Sequence, residues 1–458
     1  MKLTKNKNFK EEYCASVVKI GDIMPIEGKD RIVKTLVNGL TIVIGKQDFK
    51  EGDIAVYVSN ECVIHELFLH LNSMYEDKEL NADKEQRGYI NSKGRVRVVK
   101  LGGVPSYGIL LTPKSIARFL NDTEDSVRDF LQKHVGEDFD EINGERFCHV
   151  YVPYQRPHNE GSRADKKAKK IARFKMLIEG SFRLHYDTKQ LEKNIRSINP
   201  EDKVCISVKI HGTSAVFANI LTNMPTPWYK RLWRKYVSHR QEYDTAYNLV
   251  YSSRTVVKNE FINPGQRPGG FYSDDVWGYW AKKLATVLPK DMCIYCEIVG
   301  FTPNGSAIQK GYDYGAPANG EHRSRLFVYR ATQNGKEMEM EQVIAVNEKL
   351  ESILGSEILP FPILHYGTLT ALYPDIPVDE HWHDAVLERL KHEPRFGMEQ
   401  NEPLCKNKVP REGFVLRIVG DPIDEAWKLK CDAFRMREAK LVDAGEVDAE
   451  MAETYAEV

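Results

Sequence analysis

Val208-Lys209-Ile210-His211-Gly212-Thr213-Ser214 separates two apolar segments, 204–208 and 215–218, that predict β-strands. Gly212 permits a tight turn between these strands. A lysine at a strand end, beside a turn lined with backbone N–H groups, is suited to receive a phosphate. The alternative is a hairpin that carries an exposed lysine, and it would be favoured if this K-x-x-G pattern stood alone.

Lys209 also offers a nucleophile, provided that its amine loses its proton. The unperturbed pKa of a lysine is about 10.4. Burial, a second cation or a bound metal can lower that pKa. The question that the sequence poses is therefore whether other charged residues accompany Lys209.

Five further segments follow in order along the chain, and together they are far more specific than any one of them. They are Tyr251-Ser252-Ser253-Arg254, Ile294-Tyr295-Cys296-Glu297-Ile298-Val299-Gly300, Arg325-Leu326-Phe327-Val328-Tyr329-Arg330, Arg411-Glu412-Gly413-Phe414-Val415-Leu416-Arg417 and Ala426-Trp427-Lys428-Leu429-Lys430. This order resembles the nucleotidyltransferase motifs I, Ia, III, IIIa, IV and V of ATP-dependent ligases and mRNA capping enzymes. The resemblance covers residues 176–440.

The charged residues of these segments also make physical sense by themselves. Glu297 interrupts an apolar strand, and a buried carboxylate needs a metal, a cation or a hydrogen-bond donor. Lys428 and Lys430 are two residues apart, so they share one face of a strand and suit a polyanion. Glu412 places a second carboxylate at a strand start. The alternatives are a solvated sheet edge for Glu297 and a solvated strand face for the two lysines.

The resemblance implies a catalytic role for each of these groups. Lys209 would form a covalent lysyl-AMP with ATP, Glu297 and Glu412 would hold Mg²⁺ or Mn²⁺, and Lys428 and Lys430 would stabilise the phosphates. Phe327 would stack on adenine, with Tyr329 as its rival, and core packing is an equal alternative for both rings. The resemblance also places His211, Gly212 and, for the γ-phosphate, Arg183 at the nucleotide. It places Arg254 at the nucleotide or at the RNA end.

Three features favour an RNA ligase within this superfamily. His211 stands where DNA ligases and capping enzymes usually have Asp, and it resembles the histidine of T4-type and trypanosome editing RNA ligases. Only 28 residues follow Lys430, too few for a C-terminal OB domain. The extra domain lies at the N-terminus, and 180–188 is similar to the Deinococcus and Naegleria type. This chain departs from the T4 type at two positions, where it has Val208 in place of Glu and Ser214 in place of Asn.

The implied reaction joins RNA 3′-hydroxyl and 5′-phosphate ends, with nicks in a duplex as the expected substrate. A DNA ligase or a GTP-using capping-type enzyme is the first alternative. A catalytically inactive RNA-binding protein is the second, although the retention of all the charged residues argues against it.

The N-terminal hundred residues predict short strands at Ala15–Ile20, Leu40–Ile44, Ile54–Val58 and Val96–Val99, separated by glycines. We therefore expect an α+β protein in which antiparallel sheets and helices of a nucleotidyltransferase domain follow a small OB-like β-barrel. The expected divisions are the barrel at 1–115, a segment at 116–175 with an acidic helix (121–136) and a basic linker or exposed loop (153–175), the catalytic domain at 176–440 and a C-terminal tail at 441–458.

The composition of the 458 residues is that of an ordinary globular protein, with a net charge of -1, so any nucleic-acid site depends on local clustering of charge. No signal peptide or membrane span is expected. The eight cysteines have no framework spacing, and Cys293 and Cys296 are expected in a buried strand. We expect a cytoplasmic, intracellular monomer without a membrane partner.

Insertions relative to compact ligases are expected at Thr222–Asn248 and around 360–410. The first contains Trp228-Tyr229-Lys230-Arg231-Leu232-Trp233-Arg234-Lys235-Tyr236, in which basic and aromatic residues alternate. Such a mixture suits single-stranded nucleic acid. A surface helix that docks its aromatic side chains on the protein core is an equal alternative. Lys166–Lys170 is expected to be a solvated loop.

Overall fold

The computed structural model describes residues 1–152, 176–185, 188–224, 226–239, 242–259, 271–272, 274–420 and 426–446. The predicted linker at 153–175, with Lys166–Lys170, and most of the predicted tail (447–458) lie outside the described residues. The described residues form two compact units. The smaller unit contains residues 1–152 and 435–446, and the larger unit contains residues 176–434.

The smaller unit is built from short antiparallel strands around two apolar cores. Its strands are β1 (Leu3–Thr4), β2 (Ala15–Lys19), β3 (Ile23–Ile26), β4 (Lys29–Val37), β5 (Leu40–Gly45), β6 (Ile54–Val58), β7 (Cys62–Ile64), β8 (Val99–Leu101), β9 (Val104–Ser106), β10 (Ile109–Leu111), β11 (Asp138–Phe139), β12 (Glu141–Ile142), β13 (Glu145–Arg146) and β14 (Cys148–Val150). Its central sheet has the order β10-β6-β2-β11, and a second sheet has the order β3-β4-β5.

Three helices cover this unit: α1 (Glu66–Leu71), α2 (Pro113–Leu120) and α3 (Glu124–Gln132). The helix expected in 121–136 is confirmed as α3, which begins after Thr123, whose hydroxyl accepts the N–H of Ser126. Three of the four predicted strands are confirmed. The fourth is wrong in position, because the strand runs over Val99–Leu101 and Val96 is instead a buried core residue.

The larger unit contains two sheets that are mainly antiparallel. The strands of this unit are β15 (Lys189–Gln190), β16 (Lys203–Lys209), β17 (Thr213–Met224), β18 (Asp244–Ser252), β19 (Met292–Gly300), β20 (Ser324–Gln333), β21 (Lys336–Glu337), β22 (Ile358–Leu359), β23 (Ile363–Thr368), β24 (Gly413–Ile418) and β25 (Ala426–Lys430). The five-stranded sheet has the order β15-β25-β24-β16-β23, and the six-stranded sheet has the order β18-β17-β19-β20-β21, with β22 beside β20.

Several helices of the larger unit pack apolar side chains against these sheets. The α-helices are α4 (Leu191–Asn194), α5 (Trp228–Trp233), α6 (Val276–Leu284), α7 (Met340–Leu354), α8 (Leu369–Leu372), α9 (Trp382–Lys391) and α10 (Asp432–Asp443), the last of which continues into the smaller unit. Short 3₁₀ helices occupy Lys78–Leu80, Ile195–Ser197, Gly355–Glu357 and Pro394–Phe396. None of the helices in the described ranges has the length and apolar character needed to cross a bilayer.

The alternation of side chains along β16, β24 and β25 separates a core face from a polar face. Val204, Ile206 and Val208 enter one apolar core with residues of β24, β25 and helix α9. Because successive side chains on a strand point to opposite faces, Ser207 and Lys209 lie on the other face. The apolar half of each strand thus fixes which charged residues share the opposite face.

The two cysteines of the C-x-x-C segment lie on the buried strand β19, as predicted. Cys293 and Cys296 are buried and have reduced thiols. Burial raises the pKa of Cys293 to about 12. At a spacing of three on a strand they belong to different core clusters, so they pack the core rather than form a metal or redox pair.

Candidate active site

Lys209 lies where the two sheets of the larger unit are joined. It is the last residue of β16 in the five-stranded sheet, and β17 of the six-stranded sheet begins only four residues later, at Thr213. The two strands are therefore not a hairpin, and the alternative of an exposed lysine on a hairpin is wrong. The Lys209 side chain is 21% exposed.

The strand register brings two lysines and one glutamate together. On β24, Gly413 lies opposite Lys209 of β16 on one side and opposite Lys430 of β25 on the other. Glu412 directly precedes Gly413, and its Oε1 is 2.9 Å from Nζ of Lys209 and 3.7 Å from Nζ of Lys430. Residues separated by more than 200 positions thus form one charged cluster.

Gly413 is required for this arrangement. Its φ is +145°, and a Cβ there would lie 2.0 Å from the carbonyl oxygen of Leu429 on the neighbouring strand. Any larger residue would push β24 and β25 apart or move the backbone. Gly413 lets the backbones of β24 and β25 approach closely, and this close approach fixes the position of the preceding Glu412 carboxylate.

Glu412 is a buried carboxylate, 3% exposed, that faces three basic side chains. Burial by itself raises the pKa of the Glu412 carboxyl, but Lys209, His211 and Lys430 outweigh burial and hold that pKa well below its ordinary value. Its Oε2 lies 3.4 Å from Nδ1 of His211. No described residue donates a hydrogen bond of acceptable geometry to Oε2, although this atom is buried.

We expect Glu412→Gln to lower the free energy of unfolding at neutral pH by about 2 kcal/mol. Breaking a fully buried ion pair costs more, but here both lysine side chains are partly exposed to water. The folded pKa is depressed, so the stabilisation is present above the ordinary value of 4.5 and is lost as the pH falls through the folded value. Urea unfolding of the wild type and the variant at pH 7 and at acid pH measures the difference. A difference that stays constant below pH 4.5 would contradict this ionic origin.

Glu297 is the second carboxylate, on the all-buried strand β19. It lies opposite Ser214 of β17. Its Oε1 accepts the N–H of Gly212 at 3.1 Å, and its Oε2 accepts the Ser214 hydroxyl at 3.4 Å. The carboxylate expected from sequence to need a donor thus holds the backbone that follows Lys209.

Gly212 is needed for close approach rather than for a special turn. Its φ is not positive. A Cβ on Gly212 would lie 2.3 Å from the carbonyl oxygen of Ile298 and 3.0 Å from Cγ of Glu297. The predicted tight turn was therefore the wrong reason for this glycine, which lets the segment after Lys209 lie directly against β19.

His211 is held by aromatic residues that sequence reasoning missed. Its ring lies edge-on to Tyr312 (4.7 Å between ring centroids) and to Phe434 (4.9 Å). Its backbone N–H donates to the hydroxyl of Tyr314 at 2.8 Å, and Gln309 donates to the carbonyl of Gly212 at 2.7 Å. None of these four residues stands in a recognisable motif, so only their position in space reveals them.

The same unit contains three further residues that were predicted at the nucleotide. Lys428 is half-buried on the same face of β25 as Lys430. Arg254 is half-buried two residues beyond β18, at the end of that strand that pairs with the start of β17. Arg183 has an exposed side chain, and its carbonyl accepts the hydroxyl of Tyr295 at 3.3 Å. Their roles toward a nucleotide stay predictions.

The two aromatic candidates for adenine stacking have different surroundings. Phe327 is 1% exposed, lies opposite Glu297 on β20, and packs edge-on against Tyr314. Tyr329 is half-buried, its hydroxyl is 2.8 Å from Nδ1 of His185, and the Arg417 guanidinium lies over its ring. Core packing thus accounts for Phe327 as it stands, and the choice of stacking residue stays a prediction.

The residues present fit a divalent cation. The part of the chain that the structure describes has no cluster of three or more His, Cys, Asp or Glu side chains that could enclose a metal. Mg²⁺ does not need one, because it keeps several waters and binds through one or two carboxylates together with substrate phosphates. The buried Oε2 of Glu412, which has His211 Nδ1 at 3.4 Å but no hydrogen bond of good geometry from the described residues, is a position that a cation or its water would satisfy.

Comparisons with known proteins support this fold. A family model described as an OB-fold domain matches residues 14–113. A structure of a Naegleria gruberi RNA ligase mutant with AMP and Mn has a TM-score of 0.53 at 16% sequence identity, covering 93% of this chain and 98% of that chain. Another mutant of that ligase, with ATP and Mn, has a TM-score of 0.53 at 17% identity and the same coverage. No curated protein matches the chain.

At these identities the similarity establishes the fold. The chain has the α+β fold of these RNA ligase structures, and its N-terminal part contains an OB-fold domain. The predicted fold class and the predicted resemblance to the Naegleria type are thereby confirmed at the level of fold.

Proposed function

We propose that this protein is an ATP-dependent RNA ligase that joins a 3′-hydroxyl and a 5′-phosphate RNA end through a lysyl-AMP on Lys209. The observation that carries the proposal is that Lys209, Glu412 and Lys430 form one charged cluster. Glu297 is linked to this cluster through its hydrogen bond to Gly212, three residues after Lys209. The structures of the Naegleria ligase with ATP, AMP and Mn support the use of a nucleotide and a divalent cation.

In the first step, Nζ of Lys209 attacks the α-phosphorus of ATP. A P–N bond forms, the bond to the pyrophosphate oxygen breaks, and the amine gives up its proton. A carboxylate partner stabilises the protonated form of an amine, and that form is not nucleophilic. Attack therefore requires that Lys209 leave its pair with Glu412. A divalent cation held by Glu297 and Glu412, directly or through water, would neutralise phosphate charge and compete for the Glu412 carboxylate.

Lys428 and Lys430 supply the fixed positive charge of the site. On one face of β25 they are positioned to bind the phosphates as negative charge develops on the leaving pyrophosphate. The hydrogen bond from the Gly212 N–H to Glu297 fixes the backbone three residues after Lys209, and this keeps Lys209 at the junction of the two sheets. Positioning and electrostatics thus supply the catalysis, as in other phosphoryl transfers.

In the second step, an oxygen of the RNA 5′-phosphate attacks the lysyl-AMP, which breaks the P–N bond and returns the proton to Lys209. In the third step, the RNA 3′-hydroxyl attacks the activated 5′-phosphate, forms the phosphodiester and releases AMP. We propose that the catalytic domain spans 176–440, which comprises the larger unit and residues 435–440 of helix α10. We also propose that the OB-fold domain contacts the RNA, since such surfaces often bind nucleic acid.

The test uses α-labelled ATP or GTP with Mg²⁺ or Mn²⁺, followed by separation of the denatured protein. We expect label from ATP and little from GTP. Label from GTP alone would favour the capping-type alternative, and label from neither would favour the inactive RNA-binding protein. Nicked duplexes with a ribose or a deoxyribose at the 3′-end then separate the ligases, because equal sealing of both would contradict RNA specificity.

A further inference from the structure

The connection between β17 and β18 carries a helix whose role the proposed reaction does not explain. It consists of α5 (Trp228–Trp233) and one π-helical turn, Arg234–Ser238, and we call it the tip helix. Between Thr222 and Asn248 the sequence has five Lys or Arg residues and two Asp or Glu residues, so this insertion is basic in a chain with a net charge of -1.

The tip helix presents an unbroken aromatic and aliphatic surface to solvent. Its apolar residues recur at a spacing of four along two adjacent rows, which places them on one side of the helix. The exposed fractions are 72% for Trp228, 57% for Tyr229, 47% for Leu232, 56% for Trp233, 66% for Tyr236 and 64% for Val237. Docking of these rings on the protein's own core, one of the two sequence-based alternatives, is therefore wrong for the described residues.

The basic side of the helix is anchored to the hairpin that carries it. Arg234 pairs with Asp244 at 2.7 Å, while Arg231 and Lys235 each approach Glu242 at 3.5 Å. The Arg231 guanidinium also lies over the ring of Tyr243. Such surface pairs contribute little stability, but together they orient the helix. The aromatic side consequently faces away from β18.

We propose that this aromatic side binds a single-stranded segment of RNA by stacking on its bases, an inference that rests on the proposed function. Bases offer flat π faces that match exposed Trp and Tyr rings, and the basic excess of the insertion attracts phosphates. Isolated proteins rarely expose such a patch without a partner.

The geometry of β17 connects the tip helix to the site. The strand has 12 residues, begins beside Gly212 and Glu297, and ends at Met224 just before the tip helix. At a rise of about 3.3 Å per residue, the strand places the tip helix about 35 Å from Lys209. A surface at this distance contacts RNA well away from the ends being joined, so it affects substrate binding and not the chemical steps.

The test compares two fourfold variants at Trp228, Tyr229, Trp233 and Tyr236, one with leucine (W228L/Y229L/W233L/Y236L) and one with phenylalanine (W228F/Y229F/W233F/Y236F). The probe is a fluorescent single-stranded RNA of about 20 nucleotides, measured by anisotropy without ATP. Leucine keeps an apolar surface but removes the rings, so we expect the leucine variant to bind about 10- to 100-fold more weakly. The phenylalanine variant should bind within a few-fold of the wild type.

Equal RNA affinity of the wild type and the leucine variant overturns the proposal, as does a failure of the wild type to bind the probe. If the variants do not differ in RNA affinity but both bind anionic phosphatidylserine vesicles, the surface is assigned to a membrane instead. If they do not differ in RNA affinity but both self-associate in sedimentation, it is assigned to a second copy of the chain. Labelling by α-labelled ATP should be unchanged in both variants. Absence of labelling in the wild type would refute the proposed function. The RNA-binding comparison uses no ATP, so its result does not depend on whether labelling occurs.

Discussion

Lys209→Arg should abolish transfer of label from α-labelled ATP to the protein, with a loss of about a thousandfold or more. Arginine keeps the positive charge that faces Glu412 at 2.9 Å in the wild type, so the charged cluster is retained. Its guanidinium does not lose a proton in proteins, and without a free electron pair it cannot attack the α-phosphorus. The variant therefore separates the nucleophile from the structural cation at one position.

Lys203→Arg is the matched control, because Lys203 begins the same strand that Lys209 ends. It should be labelled like the wild type, and both variants should keep the wild-type Tm. The Lys209→Arg variant should still seal RNA that has been adenylated beforehand, since the third step does not use the lysine as a nucleophile. Normal labelling of Lys209→Arg would remove this residue from the mechanism.

Glu297→Gln should slow the formation of the protein adenylate by about 100- to 1000-fold. The amide is nearly the same shape and can still accept the N–H of Gly212 through its oxygen. What disappears is the negative charge that the proposed cation and the phosphate transfer require. The rate of labelling under single-turnover conditions measures this effect, and the Tm should change little.

Ser214→Ala measures how much of the Glu297 effect on the adenylation rate comes from the positioning of the Glu297 side chain. It removes the hydroxyl donor at 3.4 Å and leaves the carboxylate in place. A hydrogen bond of this kind contributes about 1 kcal/mol, so a rate loss below about tenfold is expected. Equal losses in Ser214→Ala and Glu297→Gln would show that Glu297 acts by positioning alone.

The difference between what was predicted and what was missed follows the range of the interactions. The order of the segments that contain Lys209, Glu297, Glu412 and Lys430 indicated the fold, because strand patterns and charged side chains can be read in short segments of sequence. The shift of the strand from Val96–Val99 to Val99–Leu101 arose because β-branched residues also suit a buried core position outside a strand. Sequence patterning thus located the motifs better than the exact ends of the elements.

By itself, the sequence determined the charged groups, their order and the strands that carry them, since alternation of apolar residues dictates which side chains share a face. Only the tertiary structure decided that β16 and β17 belong to different sheets, that Gly212 and Gly413 serve close backbone approach, and that Tyr312 and Phe434 enclose His211. These features depend on contacts between residues distant in the chain, and such packing has no periodic signature along it. For the same reason, only the tertiary structure showed that the aromatic side of the tip helix is exposed. Its composition would equally suit a helix packed on the core.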